Sequence, residues 1–258
     1  MLMKLAVLIP DTHFPYHDVK AWKLFKKSLE ILNKDNAANG GIHEIVFLGD
    51  FADFFAVSSH GTHPQVIPML VDEVMAIKEE FDWFDETFPD AKKVFIEGNH
   101  ENRLERYLVQ KAPALFGVTE TENVLTIRGR PNWKFVPYGP NQSYAICGSY
   151  LKARHQPIAN NAGLTARRAM TSLVYGHIHR IESGYAVGLD GTQHVAFSVG
   201  WLGDKNKDKI FGYVKNHHDW QLGFGIVVVN EKTRHFYHQA IPIMDDYSCA
   251  INGKIIKL

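Results

Sequence analysis

Apolar positions along this chain follow two rhythms, and their alternation predicts a mixed α/β protein. Unbroken apolar runs at Lys4–Ile9, Ile45–Leu48, Lys93–Ile96 and Leu173–Tyr175 read as strands covered on both faces. Between the first three, apolar residues recur every three or four positions. Asp18 is placed to cap a helix whose inner face is Ala21, Leu24, Phe25, Leu29 and Leu32, and Asn39-Gly40-Gly41 closes that unit. A second helix after Pro64 carries Leu70, Val74, Ile77, Phe81, Phe84 and Phe88 on one face and ends at Pro89. Its other face, from Asp72 and Glu73 to Asp85 and Glu86, reads as a solvated acidic surface. A third helix, with Leu104, Tyr107 and Leu108 inward, runs to Pro113.

Beyond Val124 the rhythm shortens. Strands are predicted at Trp133–Val136, Ser143–Cys147, Tyr150–Ala153, Tyr185–Val187, Val195–Val199, Phe224–Val229 and Arg234–Ile241, with one helix near Ala162–Thr171. Two β-α halves packed sheet on sheet, with helices outside, account for this order. No repeat, low-complexity tract or linker divides the 258 residues, so one domain spanning 1–258 is expected.

Composition narrows the class without naming a partner. Hydrophobic residues make up 45% of the chain, enough for a full core. Lys plus Arg equals Asp plus Glu, 28 against 28, so no global field favours nucleic acid or a membrane. Cys147 and Cys249 fit no metal, redox or disulfide spacing, and a reducing, cytoplasmic compartment is the expectation. The apolar start, Met1 to Ile9, runs straight into Pro10, Asp11 and His13 and reads as a core strand rather than a leader. No apolar run approaches the roughly 18 residues of a membrane span, so a soluble protein with no membrane partner is expected.

The chemistry is concentrated in five short blocks: Asp11-Thr12-His13, Gly49-Asp50, Gly98-Asn99-His100-Glu101, His155 and Gly176-His177-Ile178-His179. Four of them end apolar runs, and strand ends on one edge of a sheet converge in space. Oxygen and imidazole donors without cysteine suit one or two divalent first-row metals. A short carboxylate such as Asp50 can reach two ions, and His177 and His179, one residue apart, can serve one each. Gly176 permits close approach or a sharp turn of the backbone.

In this order the blocks resemble the calcineurin-like metallophosphoesterase family, over roughly residues 4 to 200. The resemblance implies a four-layer α/β/β/α sandwich, two mixed sheets flanked by helices. It also implies two divalent metal ions, Mn²⁺ foremost, with Fe, Zn²⁺, Ni²⁺ and Co²⁺ compatible with the same donors. It assigns Asp11, His13, Asp50 and His179 to one ion and Asp50, Asn99, His155 and His177 to the other, with Asp50 bridging. His100 corresponds to the histidine that protonates or stabilises the leaving oxygen, and Asp53 to the aspartate that orients it. His155 departs from the pattern in being followed by Gln156-Pro157 where the family often has glycine.

The implied reaction is hydrolysis of a phosphate ester, with Arg103 and Arg154 expected to bind the substrate phosphate. Phosphodiesters, as nucleotides or nucleic acid, are the preferred substrate class. Asp-Thr-His-Phe-Pro-Tyr-His-Asp is similar to phosphoesterases carried by phages and bacteria, including relatives of repair nucleases. Phosphomonoesters, phosphoprotein among them, are the alternative: Glu101 is shared with the phosphoprotein phosphatases, but Asp53 is followed by Phe54-Phe55 where that branch has Arg-Gly. A third reading is a silent scaffold that binds partners. Phe51, Phe54 and Phe55, with the loop Ser58–Pro64, read as core or as a base-stacking pocket. Gly203 to Trp220, mixing lysines with aromatics and aspartates, reads as a solvated loop or a nucleic-acid contact.

Overall fold

The computed structural model describes residues 3–59, 69–206 and 219–258. Its first half alternates strand and helix: β1 (Met3–Ile9), α1 (Val19–Asp35), β2 (Glu44–Phe47), α2 (Leu70–Thr87), β3 (Lys92–Ile96), α3 (Asn102–Lys111), α4 (Thr121–Val124) and β4 (Trp133–Val136). The second half is β5 (Tyr144–Ala145), β6 (Leu151–Arg154), α5 (Ala162–Ala169), β7 (Ser172–Tyr175), β8 (Ile181–Val187), β9 (Gln193–Val199), β10 (Gly223–Asn230), β11 (Phe236–Pro242), β12 (Ser248–Ile251) and β13 (Lys254–Lys257).

Two mixed sheets result. One has the order β11-β10-β1-β2-β3-β4, the other β5-β6-β7-β9-β8, and β12 and β13 form a separate hairpin. In the first sheet β1 through β4 run parallel, and β10 joins β1 antiparallel with Leu5 opposite Val228. In the second, β6, β7 and β9 are parallel.

The unbroken apolar runs follow from burial on both faces. Leu5, Val7 and Ile9 of β1 pack with Leu24, Phe25 and Leu29 of α1 and Phe81 and Phe84 of α2. Ala6 and Leu8, on the opposite face, join Val46, Val94 and Val227 against Leu151, Val174 and Phe197 of the second sheet. On that sheet's other face, Ala166 of α5 packs with Leu173, Tyr175 and Ala196. Asp18 caps α1 as the sequence indicates, its carboxylate accepting from the amides of Lys20 and Ala21 at 2.9 Å. Among the described residues no helix is long and apolar enough to cross a membrane.

Several expectations need correction. The Tyr107 ring faces outward, 44% exposed, and Arg103 takes the inner position beside Leu104 and Leu108. The acidic face of α2 is not simply solvated. Asp82 and Asp85 each meet Arg130 at 2.7 Å, Glu80 meets Lys26 at 2.9 Å, and Glu73 is buried. Phe51, Phe54 and Phe55 are buried, so the base-stacking reading fails for them: the core takes their rings. The predicted strand at Ser143–Cys147 shrinks to two residues, because Cys147 adopts positive φ (46°) and turns the chain. The β12–β13 hairpin was not anticipated. Most of the Ser58–Pro64 loop and of the Gly203–Trp220 segment lies outside the described residues.

Candidate metal centre

The C-terminal ends of β1, β2, β3, β6 and β7 deliver the five blocks to one place. The loops that carry them are tied to one another. The amides of Thr12 and His13 both donate to the Asp50 carbonyl (3.0 and 2.9 Å), Gly176 N donates to the His155 carbonyl (2.9 Å), and Leu202 N donates to the Asp11 carbonyl (2.8 Å). Glu101 acts as a clamp: its buried carboxylate accepts from the amides of Gly98, Asp50 and Ala52 at 2.8–3.0 Å and so fastens the second block to the third. The close spacing requires glycine. A Cβ on Gly98 would lie 2.2 Å from Asp50 Oδ1, and one on Gly176 would lie 2.5 Å from Asp11 Oδ2.

Two groups of donor atoms emerge. Asp11, His13 and His179 bring one ligand atom each within 4.8 Å of the others, and so do Asp50, His155 and His177. His13, Asp50 and His100 form a third such group that overlaps both. Asp11, His13, Asp50, His155 and His179 are buried, whereas His177 is exposed. Asn99 joins through its side-chain oxygen, 2.9 Å from His155 Nε2. His13, Asp50, His177 and His179 all adopt positive φ (54°, 51°, 71° and 58°), a region that costs non-glycine residues energy and clusters at functional sites.

The donors face one another in a way that calls for a cation. His13 Nδ1 lies 3.0 Å from Asp53 Oδ2, which fixes that nitrogen as the donor and makes Nε2 the acceptor of the neutral ring. That Nε2 lies 3.2 Å from His179 Nε2, itself 3.4 Å from Asp11 Oδ1. His155 Nδ1 donates to the Leu48 carbonyl at 2.9 Å, so its Nε2 points at Asn99 Oδ1 and at Asp50 Oδ2 (3.3 Å). A proton or a metal has to occupy that position.

Charge points the same way. Asp11, Asp50, Asp53 and Glu101 are buried together, and Arg103 is the buried guanidinium among them. Burial raises the proton affinity of Asp11, but His179 outweighs it and holds the carboxyl below its usual range. Asp50 is held well below that range, with His155 and His100 overcoming burial. Burial and the charge of His100 push His13 down, toward the neutral form that ligates metal. Burial opposes protonation of His155, yet Asp50 and Asp11 push it up to about 9. Glu101 is pushed up to about 8 by burial and by Asp50, against the pull of its backbone amides.

Asp53 is the hub on one side. Its Oδ2 accepts from His13 Nδ1 and from His100 Nδ1 (3.1 Å), and its Oδ1 accepts from Arg103 Nη1 (2.9 Å). His100 is fixed further by its amide, which donates to Asp50 Oδ1 at 2.8 Å. Burial disfavours the His100 imidazolium, but Asp50 and Asp53 raise its proton affinity above the ordinary value, while Arg103 opposes them.

The two expected phosphate clamps part company. Arg103 is turned inward, its Nη1 donating to Asp53 and its Nη2 to His100 Nε2 at 3.1 Å, so it is engaged with the Asp53–His100 pair. Arg154 shares a shallow pocket with His155 and Tyr138, and its buried Nε has no partner among the described residues. Sequence reasoning passed over one aromatic support, Trp201, and gave the other, Trp220, to a solvated loop or nucleic-acid contact. His179 stacks on Trp201 at 4.8 Å and meets Trp220 edge-on at 4.3 Å. Trp201 lies outside every block and left no cue.

The sequence matches no protein-family model. It is 26% identical over 258 residues to the Gene 54 protein of Mycobacterium phage L5, and 26% identical over 255 residues to the Gene 54 protein of Mycobacterium phage D29. Each alignment covers 94% of this chain and 95% of the relative, so the likeness runs nearly end to end.

Proposed function

We propose that this chain is a dinuclear metal-dependent phosphoesterase of the calcineurin-like type, acting on phosphodiesters in nucleotides or nucleic acid. The observation that carries the reading is the pair of three-donor groups, Asp11-His13-His179 and Asp50-His155-His177, presented side by side at the ends of parallel strands. The buried clusters on the helical face of the first sheet, between the sheets and under α5 agree with a four-layer α/β/β/α sandwich in one domain. The donors fit two ions: each group brings imidazole nitrogens together with a buried carboxylate, and among the described residues the ion pairs of Asp11 and Asp50 are with histidines.

Asp11, His13 and His179 would hold one ion, His155, His177 and Asn99 the other, and Asp50 would serve both. Bound there, divalent ions supply a water nucleophile at neutral pH and screen the phosphoryl oxygens. The remaining work belongs to the chain. Asp53 engages His100 Nδ1, so Nε2 is the nitrogen that would serve the departing oxygen; here it accepts from Arg103 Nη2 at 3.1 Å, so it carries a proton to that oxygen only once the guanidinium moves off it. Arg103 lowers the proton affinity of His100, against the two carboxylates that raise it. Arg154, which lines a pocket with His155, would turn its guanidinium toward a substrate phosphate.

The test is to strip the protein, reload it with Mn²⁺, and compare hydrolysis of bis-p-nitrophenyl phosphate with that of p-nitrophenyl phosphate. Faster turnover of the diester is expected. Preference for the monoester would replace the diesterase reading with a phosphatase. Two bound metals with no turnover of either would replace it with a scaffold.

A further inference from the structure

The strands that carry the metal donors at one end frame a cleft at the other. It has a volume of about 710 Å³ and lies where β6, β7, β8 and β9 of the second sheet part from β11 of the first. Ser149, Tyr150 and Ser172 stand at or before the starts of β6 and β7, whereas His155 and His177 follow their ends. A strand of four residues separates the two places by on the order of 13 Å. This size falls within the range of small-ligand pockets.

The lining is one-sided in its chemistry. Among the described residues no aspartate or glutamate contributes to it. Ser149 and Ser172 are buried, and each hydroxyl oxygen accepts from a backbone amide at 3.2 Å, from Leu151 and Val195 respectively. Both hydroxyl protons are therefore left to donate. Arg234 adds a fixed positive charge. Its backbone is held at positive φ (62°), its Nε donates to the Gly148 carbonyl at 2.8 Å, and its guanidinium lies 4.6 Å over the Tyr150 ring. It has no carboxylate partner among the described residues. Three exposed tyrosine rings complete the wall, Tyr150 at 52% and Tyr185 and Tyr237 at 65% exposure, with Tyr185 on the inter-sheet side beside Val195.

Unused hydroxyl donors and an unpaired guanidinium call for an acceptor-rich anion, and exposed flat rings call for a flat partner to stack on them. We propose that this cleft binds a nucleoside monophosphate, the base against Tyr185 and the phosphate toward Arg234, Ser149 and Ser172. The site is separate from the metal centre and needs none of its residues, so it stands whether or not that centre is a phosphodiesterase. Lys152 also borders the cleft, but strand alternation sets it on the face opposite Leu151 and Ala153, away from the inter-sheet side. It supplies an internal control.

The experiment is calorimetric titration of the whole protein with AMP in excess EDTA, with adenosine and inorganic phosphate titrated separately. Saturable binding of AMP is expected, tighter than that of either component alone. Arg234→Ala and Tyr185→Ala should each weaken it roughly 10-fold, as expected for loss of a charge-assisted contact or a stacking surface. Lys152→Ala should leave it unchanged. Both side chains are exposed, and an unaltered thermal melt confirms that the variants fold. Absence of AMP binding, or binding that neither Arg234→Ala nor Tyr185→Ala weakens, overturns the assignment. So does binding abolished by Asp50→Asn, which would place the nucleotide at the metal centre.

Discussion

The two halves of the donor cluster use the same residue types but are supported in opposite ways. In the inner half, Asp11, His13 and His179 are no more than 8% exposed, His13 is held by the Asp53 carboxylate, and His179 is stacked on Trp201. In the outer half, His155 is held by a backbone carbonyl, that of Leu48, and His177 stands exposed. A carboxylate behind a ligand histidine raises its basicity and fixes its ring more firmly than a neutral carbonyl does. On the proposed reading the inner half would therefore retain an ion more firmly, and the outer half would meet a substrate arriving from solvent.

Asp50 belongs to both halves, so Asp50→Asn should erase the difference between them. Metal content measured after dialysis should fall at both positions, and turnover should drop roughly 10³-fold or more. Retention of two ions by that variant would remove Asp50 as the shared ligand. A smaller and cleaner effect is expected for His100→Asn: both ions kept, turnover lowered roughly 10²-fold. Loss of metal there would show that His100 is itself a ligand.

Asp53→Asn tests the inner support directly. Because one carboxylate oxygen serves both His13 and His100, the variant should weaken inner-site metal binding by roughly 10- to 100-fold and lower turnover at saturating metal as well. If turnover at saturating metal is unaltered, Asp53 does not position His100. His177→Ala should act on the outer half alone, so a metal titration would show one tight ion kept and a second weakened roughly 10-fold. Equal weakening of both would contradict the contrast.

This contrast was only partly legible in the sequence. Strand ends at Ile9, Phe47 and Ile96 could be read because strands buried on both faces leave unbroken apolar runs, and polar blocks then stand out at their ends. What the blocks do to one another could not be read. Positive φ at His13, Asp50, His177 and His179 is imposed by hydrogen bonds between loops distant in sequence. The inward turn of Arg103 depends on Asp53, fifty residues earlier. The His179 support comes from Trp201, which lies in none of the blocks. Tyr107 and Glu73 were misplaced because helical periodicity finds an apolar stripe but not its edges, where a buried polar partner can displace an aromatic ring.

Glu73 gives the smallest expected effect, and it probes how the inner half is braced. It lies in the first turn of α2, accepts from the Phe54 amide directly behind Asp53, and is 1% exposed. Its second oxygen has no partner among the described residues. Burial, with Asp53 next, holds its carboxyl well above the usual range. The sign follows from proton linkage. Below the ordinary carboxylate value both the folded and unfolded chains carry the proton, and Glu73 adds no pH dependence. As pH rises past that value the unfolded chain ionises freely while the folded chain resists, so stability falls until the folded group ionises too, and the deficit is constant beyond. Glu73→Gln keeps an acceptor for the Phe54 amide and removes the ionisation. In EDTA, where bound metal adds nothing to stability, the variant should melt higher than the parent at neutral pH by roughly 2–4 °C for each kcal/mol recovered, and the gap should close toward pH ~4. A gap of the same size at both pH values would assign the effect to packing instead. A gap that closes as expected, with inner-site metal affinity unchanged, would show that the amide contact behind Asp53, and not the charge on Glu73, braces the inner half.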